Sequence, residues 1–285
     1  MRIEKIMLGD KAYLTAYLLD SGLKLGQDVK RPAVVINPGG GYIYLSPREA
    51  EPVALAYAAK GFHTFILNYS LGHDAKGFTP LEELDQAIGI IKANSDQWLV
   101  AENKIAVCGF SAGGHLALAG GLLAKNRPDA MILGYPAVSL NDMPAIAKFL
   151  SGKGDDFSVK DLEPFDLVPQ VSDNTPPAFV FVTGDDKACR RGCIELIAAL
   201  EKRDIPCEFH LFGFGPHGYS LANEACADGS CQVIDAHAAK WLDLSSEWLI
   251  RIFGGLEFTN TSTSRIAEEA RKLGIDMSAK PIEHA

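Results

Sequence analysis

Ile105-Ala106-Val107-Cys108-Gly109-Phe110-Ser111-Ala112-Gly113-Gly114-His115 decides the reading of this chain. Four β-rich apolar residues run into glycine and serine, and a helical pattern follows from His115 to Lys125. A strand that becomes a helix within so few residues brings its two limbs very close. Gly109 and Gly113 must then lack side chains, and Ser111 is left projecting above the sheet. The helix N-terminus beneath it favours negative charge developing at that point. The stretch therefore predicts a nucleophile elbow. The competing reading, a tight turn with a capping serine, is weakened by the strand before it and the helix after it.

Working outward, apolar β-rich runs recur at Ala33 to Asn37, His63 to Asn68, Met131 to Tyr135, Ala178 to Thr183 and Cys207 to Phe212, separated by stretches of helical periodicity. That alternation predicts a parallel sheet. Ile3 to Leu8 and Tyr13 to Leu19, joined at Gly9-Asp10, add an antiparallel edge hairpin, for about eight strands in all. Ser46-Pro47-Arg48-Glu49 and Thr79-Pro80-Leu81-Glu82 each combine a capping hydroxyl, Pro at the first helical position and Glu two residues on, which predicts two helix starts. Further helices are expected after Ser111, over about 188 to 202 and over about 233 to 253. The pattern loosens between Ala137 and Pro177, with a short helix near Pro144 to Leu150. This reads as an insertion over the C-terminal edge of the sheet. The organisation is thus one α/β domain over residues 1–254, with the insertion at about 137–177. Residues 255–285 form an appendage with one helix from about Arg265 to Leu273.

A serine needs a base, and in an elbow of this kind the expected chain order is serine, acid, histidine. Of the seven histidines, His63 precedes a strand, His115 and His237 lie in helices, His210 lies in a strand and His284 is in the tail. His73 precedes the serine. His217 remains, in the loop Gly213-Phe214-Gly215-Pro216-His217-Gly218-Tyr219 after the last strand. The acid should end the preceding strand, where Thr183-Gly184-Asp185-Asp186 offers two carboxylates. Asp186 is favoured by direction, with Asp185 as the alternative. Two backbone donors are needed for a tetrahedral oxyanion. Ala112, directly after the nucleophile, supplies one N–H. Gly40 and Gly41, in Asn37-Pro38-Gly39-Gly40-Gly41-Tyr42, are the candidates for the other. A phosphate-cradling glycine loop is disfavoured there, because neither a Walker lysine nor Rossmann spacing follows.

Pro38 to Tyr42 (PGGGY), Gly109 to Gly114 (GFSAGG), Thr183 to Asp186 (TGDD) and Gly215 to Tyr219 (GPHGY), in that order, resemble the α/β-hydrolase fold serine esterases. The branch they most resemble is that of the bacterial acetyl esterases and acetylxylan esterases, related to the hormone-sensitive-lipase-like esterases. Those relatives usually carry HGGG where this chain has Pro38 before its glycines. The resemblance covers nearly all of Ala33 to Phe253. It implies hydrolysis of short-chain acyl esters, acetyl above all, on sugars or xylo-oligosaccharides, with no metal or organic cofactor. Tyr42, Tyr135 and the insertion are candidate walls of an acyl pocket, with core packing an equal alternative for each. A peptidase or thioesterase using the same residues is the first alternative, and a non-catalytic hydrolase-like binding protein the second.

Composition bounds the rest. The 285 residues are 47% hydrophobic and 22% charged, which argues a folded core. Net charge is −9, from 27 basic and 36 acidic residues, and disfavours phosphate backbones and anionic lipid surfaces as partners. The longest apolar run, Leu116 to Ala124, is too short for a bilayer span. Glu4, Lys5, Asp10 and Lys11 break the N-terminal apolar residues, so a cytoplasmic protein is expected if the chain is complete. The expected partner is a small ester substrate, with self-association into a homo-oligomer left open. Six cysteines without CxxC or zinc spacing read as reduced, structural thiols.

Overall fold

The edge hairpin forms as β1 (Arg2–Met7) against β2 (Tyr13–Leu18), with Met7 opposite Tyr13 next to the turn. This is a computed structural model, and it describes residues 1–20, 29–141, 143–227, 229, 233–255, 257–258 and 269–275. The six internal runs become β3 (Val29–Asn37), β4 (His63–Asn68), β5 (Val100–Phe110), β6 (Ala130–Gly134), β7 (Ala178–Thr183) and β8 (Cys207–Phe212). They assemble in the order β1-β2-β4-β3-β5-β6-β7-β8. Only β2 runs against its neighbours in this path, so the sheet is mostly parallel with one antiparallel edge. A two-residue strand, β9 (Glu257–Phe258), pairs antiparallel with the start of β3, an addition the sequence reading did not contain.

Two strands begin earlier than expected. In β3 the ladder to β5 shifts register between Arg31 and Ala33. Pro32 lies between them and has no N–H to donate, so the strand passes through an irregularity rather than starting after it. In β5 the polar Glu102-Asn103-Lys104 interrupts the apolar pattern, but the backbone stays extended through it.

Helices cover both faces, and successive residues of β5 show how. Phe110 meets Trp241 with ring centroids 5.7 Å apart, whereas its neighbour Gly109 faces the other way, where a Cβ would come within 2.7 Å of Ala117. Trp241 opens α7 (Trp241–Phe253), which shares its face with α1 (Glu51–Ala59). Ala117 belongs to α4 (Ala112–Leu123), which packs with α2 (Thr79–Ala93) on the opposite side. Between α2 and β5 lies the single turn α3 (Ser95–Trp98). Trp241 stacks on Phe181 of β7 at 4.4 Å and 12°, which ties α7 to the centre of the sheet.

The expected helix caps differ from those observed. Ser46 makes no capping hydrogen bond, and Pro47–Glu49 forms only a 3-10 turn before α1 begins at Glu51. Thr79 is itself helical, and its hydroxyl donates back to the Lys76 carbonyl. The segment between β6 and β7 contains α5 (Pro144–Ser151) and 3-10 turns at Gly154–Asp156, Val159–Phe165 and Val168–Gln170. After β7 comes α6 (Arg190–Glu201). The helix expected from 233 starts only at Trp241, after a 3-10 turn at Ala238–Lys240. The first four residues of the helix expected at 265–273 lie outside the described residues, as do Cys231 and His284.

Candidate active site

Sheet order brings the distant motifs together. Asn37, at the end of β3, pairs with Gly109, near the end of β5, so the glycine loop and the elbow emerge side by side. Thr183 ends β7 opposite Phe212 at the end of β8, so the loops bearing Asp186 and His217 are also neighbours. The β8 loop has only to reach back over β7 and β6 to stand above the elbow.

At the elbow Ser111 has φ 52° and ψ −116°, a conformation that costs an L-residue free energy and persists because its surroundings over-determine it. A Cβ on Gly109 would lie 2.1 Å from the Gly113 carbonyl oxygen, and one on Gly113 would lie 2.0 Å from the Asn37 oxygen. Both glycines are therefore sterically required, Gly109 by the turn itself, as the sequence argument holds, and Gly113 by the close approach of the end of β3. Ser111 Oγ is 2.9 Å from His217 Nε2, and His217 Nδ1 is 2.6 Å from Asp186 Oδ2. A carboxylate only accepts, so Nδ1 carries the proton and Nε2 is left to accept from the serine hydroxyl. The histidine side chain is 41% exposed and that of Asp186 only 2%, so the reacting end faces solvent while the orienting end is dry.

The two adjacent carboxylates part company here. Asp186 also accepts from the Cys189 N–H, whereas exposed Asp185 accepts from the Gly215 N–H at 3.1 Å and braces the histidine loop from outside. Thr183 Oγ1 donates to the Gly215 carbonyl and completes that brace.

Ala112 opens α4, so its N–H has no intrahelical acceptor. Among the described residues, the N–H groups of Gly40 and Gly41 donate no hydrogen bond. The loop that carries them is gripped from below. Tyr69 donates to the Pro38 carbonyl at 2.6 Å, and the Gly39 N–H donates to Glu49 Oε2 at 2.8 Å. Gly39 is pressed onto the elbow, where a Cβ would meet Ser111 Cβ at 3.1 Å.

Tyr42 and Tyr135, the candidate pocket walls, are both fully buried. Tyr42 donates to His115 Nδ1 at 2.9 Å. Tyr135 donates to Glu49 Oε1 at 2.7 Å, accepts from the Ser220 N–H at 3.0 Å, and sets its ring 5.1 Å from that of His217. Burial pushes the Tyr135 phenol well above its ordinary range, so it stays a donor. Asp186, Cys189 and His217 hold ligand-type atoms within 4.8 Å of one another. Burial pushes the Cys189 thiol up to about 12, and Asp186 and His217 Nδ1 already satisfy each other, so the group is an acid–base pair with a neutral thiol packed beside it.

The profile of the BD-FAE family matches residues 19–161, half of the sequence. The chain belongs to the BD-FAE family. The crystal structure of MGS-M1, an alpha/beta hydrolase enzyme from a Medee basin deep-sea metagenome library, superposes on this BD-FAE chain with a TM-score of 0.77 and 38% identity. The match covers 88% of this chain and 98% of that one, so the fold is that of the α/β-hydrolases. Endo-1,4-beta-xylanase B of Butyrivibrio fibrisolvens is 30% identical over 222 residues, covering 71% of this chain and 34% of the xylanase. Acetylxylan esterase of Xylanibacter ruminicola is 28% identical over 205 residues, 66% of this chain and 41% of that protein. The BD-FAE chain thus spans well under half the length of these two curated relatives. Among its described residues no helix is long and apolar enough to cross a membrane.

His115, set aside in the sequence reading as a helical residue, turns out to be a tie beneath the BD-FAE site. Its Nε2 lies 3.2 Å from the Phe165 carbonyl, which only accepts, so Nε2 is the donor and Nδ1 accepts from Tyr42. Helix α4, the glycine loop and the segment between β6 and β7 are joined through one neutral ring. Burial pushes His115 down to about 4, and does the same to His63, buried at the start of β4. An unfolded histidine titrates near 6.5, so the unfolded chain binds more protons between about pH 4 and 6.5. Their stabilising effect is fully present above that window and is lost as pH falls through it. Between pH 7 and pH 5 each histidine should remove about 2 kcal/mol of stability. Glu83 and Asp129, whose carboxyls burial pushes up, act in the opposite sense, gaining stability as pH falls through their raised folded values. Urea midpoints at pH 7 and pH 5 check this, and a flat profile would show that the two rings are charged in the fold.

Proposed function

We propose that this chain is a serine carboxylic ester hydrolase for short-chain acyl esters, chiefly acetyl groups on sugars or xylo-oligosaccharides, working through an acyl-enzyme. The observation that carries the reading is the continuous hydrogen-bonded path from Asp186 through His217 to Ser111 Oγ. Ser111 Oγ attacks the ester carbonyl as its proton passes to His217 Nε2. The carbonyl electron pair moves to oxygen, facing the N–H groups of Ala112 and of Gly40 or Gly41. Collapse expels the alcohol, which takes the proton from Nε2, and leaves acyl-Ser111. Water then attacks, gives its proton to Nε2, and the acid leaves as that proton returns to the serine. Asp186 fixes the tautomer and stabilises the imidazolium without taking the proton.

The acetyl and sugar preference draws support from the similarity to an acetylxylan esterase and a xylanase. It also draws support from a groove of about 600 Å³ beside the glycine loop, lined by Tyr17, Tyr44, Arg48, Glu51 and Asn68. Aromatic and hydrogen-bonding side chains together suit a saccharide leaving group. A panel of acetyl, butyryl and octanoyl esters, acetylated xylo-oligosaccharides, an acyl thioester and a dipeptide tests the reading. Acetyl should exceed octanoyl by roughly tenfold or more in kcat/KM, and the acetylated saccharides should be turned over. Faster cleavage of the thioester or dipeptide would move the assignment to those chemistries. No turnover, together with no labelling by a fluorophosphonate, would make the chain a binding protein.

A further inference from the structure

One buried carboxylate holds the glycine loop directly and the histidine loop through the Tyr135 hydroxyl. We propose that Glu49 is a positioning residue that clamps the oxyanion loop and the histidine loop together; this rests on the ester-hydrolase reading above. Glu49 ends the 3-10 turn Pro47–Glu49 and is only 3% exposed. Its Oε2 accepts from the Gly39 N–H, one residue before the candidate oxyanion donors. Its Oε1 accepts from the Tyr135 hydroxyl, which in turn accepts from the Ser220 N–H, three residues after His217. The same turn holds the second loop again through Arg48, whose carbonyl accepts from Ser220 Oγ at 2.5 Å.

Donor arithmetic makes the carboxylate specific. The Gly39 N–H can only donate. Tyr135 has one proton, and because a carboxylate oxygen only accepts, that proton goes to Glu49 while the phenol oxygen accepts from Ser220. The position therefore faces two donors and needs two acceptor oxygens. Glutamine has the same shape but one acceptor, so its N–H₂ must face either the Gly39 N–H, which cannot accept, or the Tyr135 oxygen, whose proton then loses its acceptor. One arm of the clamp then opens without any change of volume. A shift of the glycine loop by a fraction of an ångström moves the oxyanion donors relative to Ser111, and such misplacement acts on the transition state more than on substrate binding.

The test measures kcat and KM on a chromogenic acetate ester, per site titrated with a fluorophosphonate. Glu49→Gln should lower kcat per titrated site on the order of 10- to 100-fold, below the 10²- to 10³-fold for outright removal of an oxyanion donor, with KM nearly unchanged. Glu49→Asp, which keeps two acceptor oxygens on a shorter arm, should recover part of the loss. Wild-type kcat per site in Glu49→Gln overturns the proposal. So does a loss confined to the fraction of titratable sites, since that is what mere structural support would produce. If Glu49→Gln does not fold, Tyr135→Phe carries the test, because it removes one arm and keeps the carboxylate; unchanged kcat per site there overturns the proposal equally. Failure of the wild-type protein to hydrolyse the ester or to label at Ser111 would instead sink the ester-hydrolase reading, so the two failures are distinct.

Discussion

Ser111→Ala should lower kcat for a chromogenic acetate ester on the order of 10⁶-fold, as expected when the nucleophile of a serine–histidine pair is removed, while leaving the fold intact. The loss is large because His217 Nε2 then has no hydroxyl within reach, and the acyl-enzyme path closes altogether. What remains is the residual rate that binding and the oxyanion donors give to direct attack by water. Stability should change little. The substitution removes one half-exposed oxygen, keeps the Cβ that already sits at φ 52°, and leaves the glycine contacts of the elbow as they are. Steady-state rates, fluorophosphonate labelling and a urea midpoint on the same preparation check all three parts. Turnover within tenfold of wild type would show that the chemistry does not pass through this serine.

The parts of the site legible in the sequence are those in which a chemical group stands directly after a strand. Ser111, Asp186 and His217 each follow a β-rich run at short range, and their order along the chain matches the order of the strands that carry them. The steric requirement at Gly109 was equally local, because the Gly113 carbonyl it would strike lies in the same six-residue stretch, whereas Gly113 is held bare by Asn37 and Pro38 at the distant end of β3. Glu49 was not legible for the opposite reason. Serine, proline and glutamate at that spacing fit a helix start, and nothing in that pattern indicates that the carboxylate turns back to Gly39, 10 residues away, and across to Tyr135, 86 residues away. His115 is a similar case: apolar neighbours place it on a buried helix, but its partners Tyr42 and Phe165 lie 73 and 50 residues off. Tyr42 and Tyr135 were equally readable as wall or core, and only their hydroxyl partners commit them to the interior. A strand end announces what it carries, whereas a long-range brace is visible only when the two chain segments are seen side by side.

Asp186→Asn and Asp185→Asn should separate the two carboxylates that sequence direction alone left open. Asp186→Asn is expected to lower kcat on the order of 10⁴-fold, through the tautomer rather than through lost packing. The asparagine amide can turn its N–H₂ toward His217 Nδ1, which then accepts, and the ring proton moves to Nε2, where it faces the serine hydroxyl donor to donor. The Cys189 N–H can still be satisfied by the remaining carbonyl oxygen, so the loop should hold its shape. In Asp185→Asn the side-chain oxygen can still accept from the Gly215 N–H, at an exposed position where an acceptor is all that the contact needs. Its kcat should stay within about threefold of wild type, as exposed hydrogen bonds of this kind contribute little. Measured side by side at saturating acetate ester, equal losses in the two variants, or the larger loss in Asp185→Asn, would remove Asp186 from the role of orienting acid.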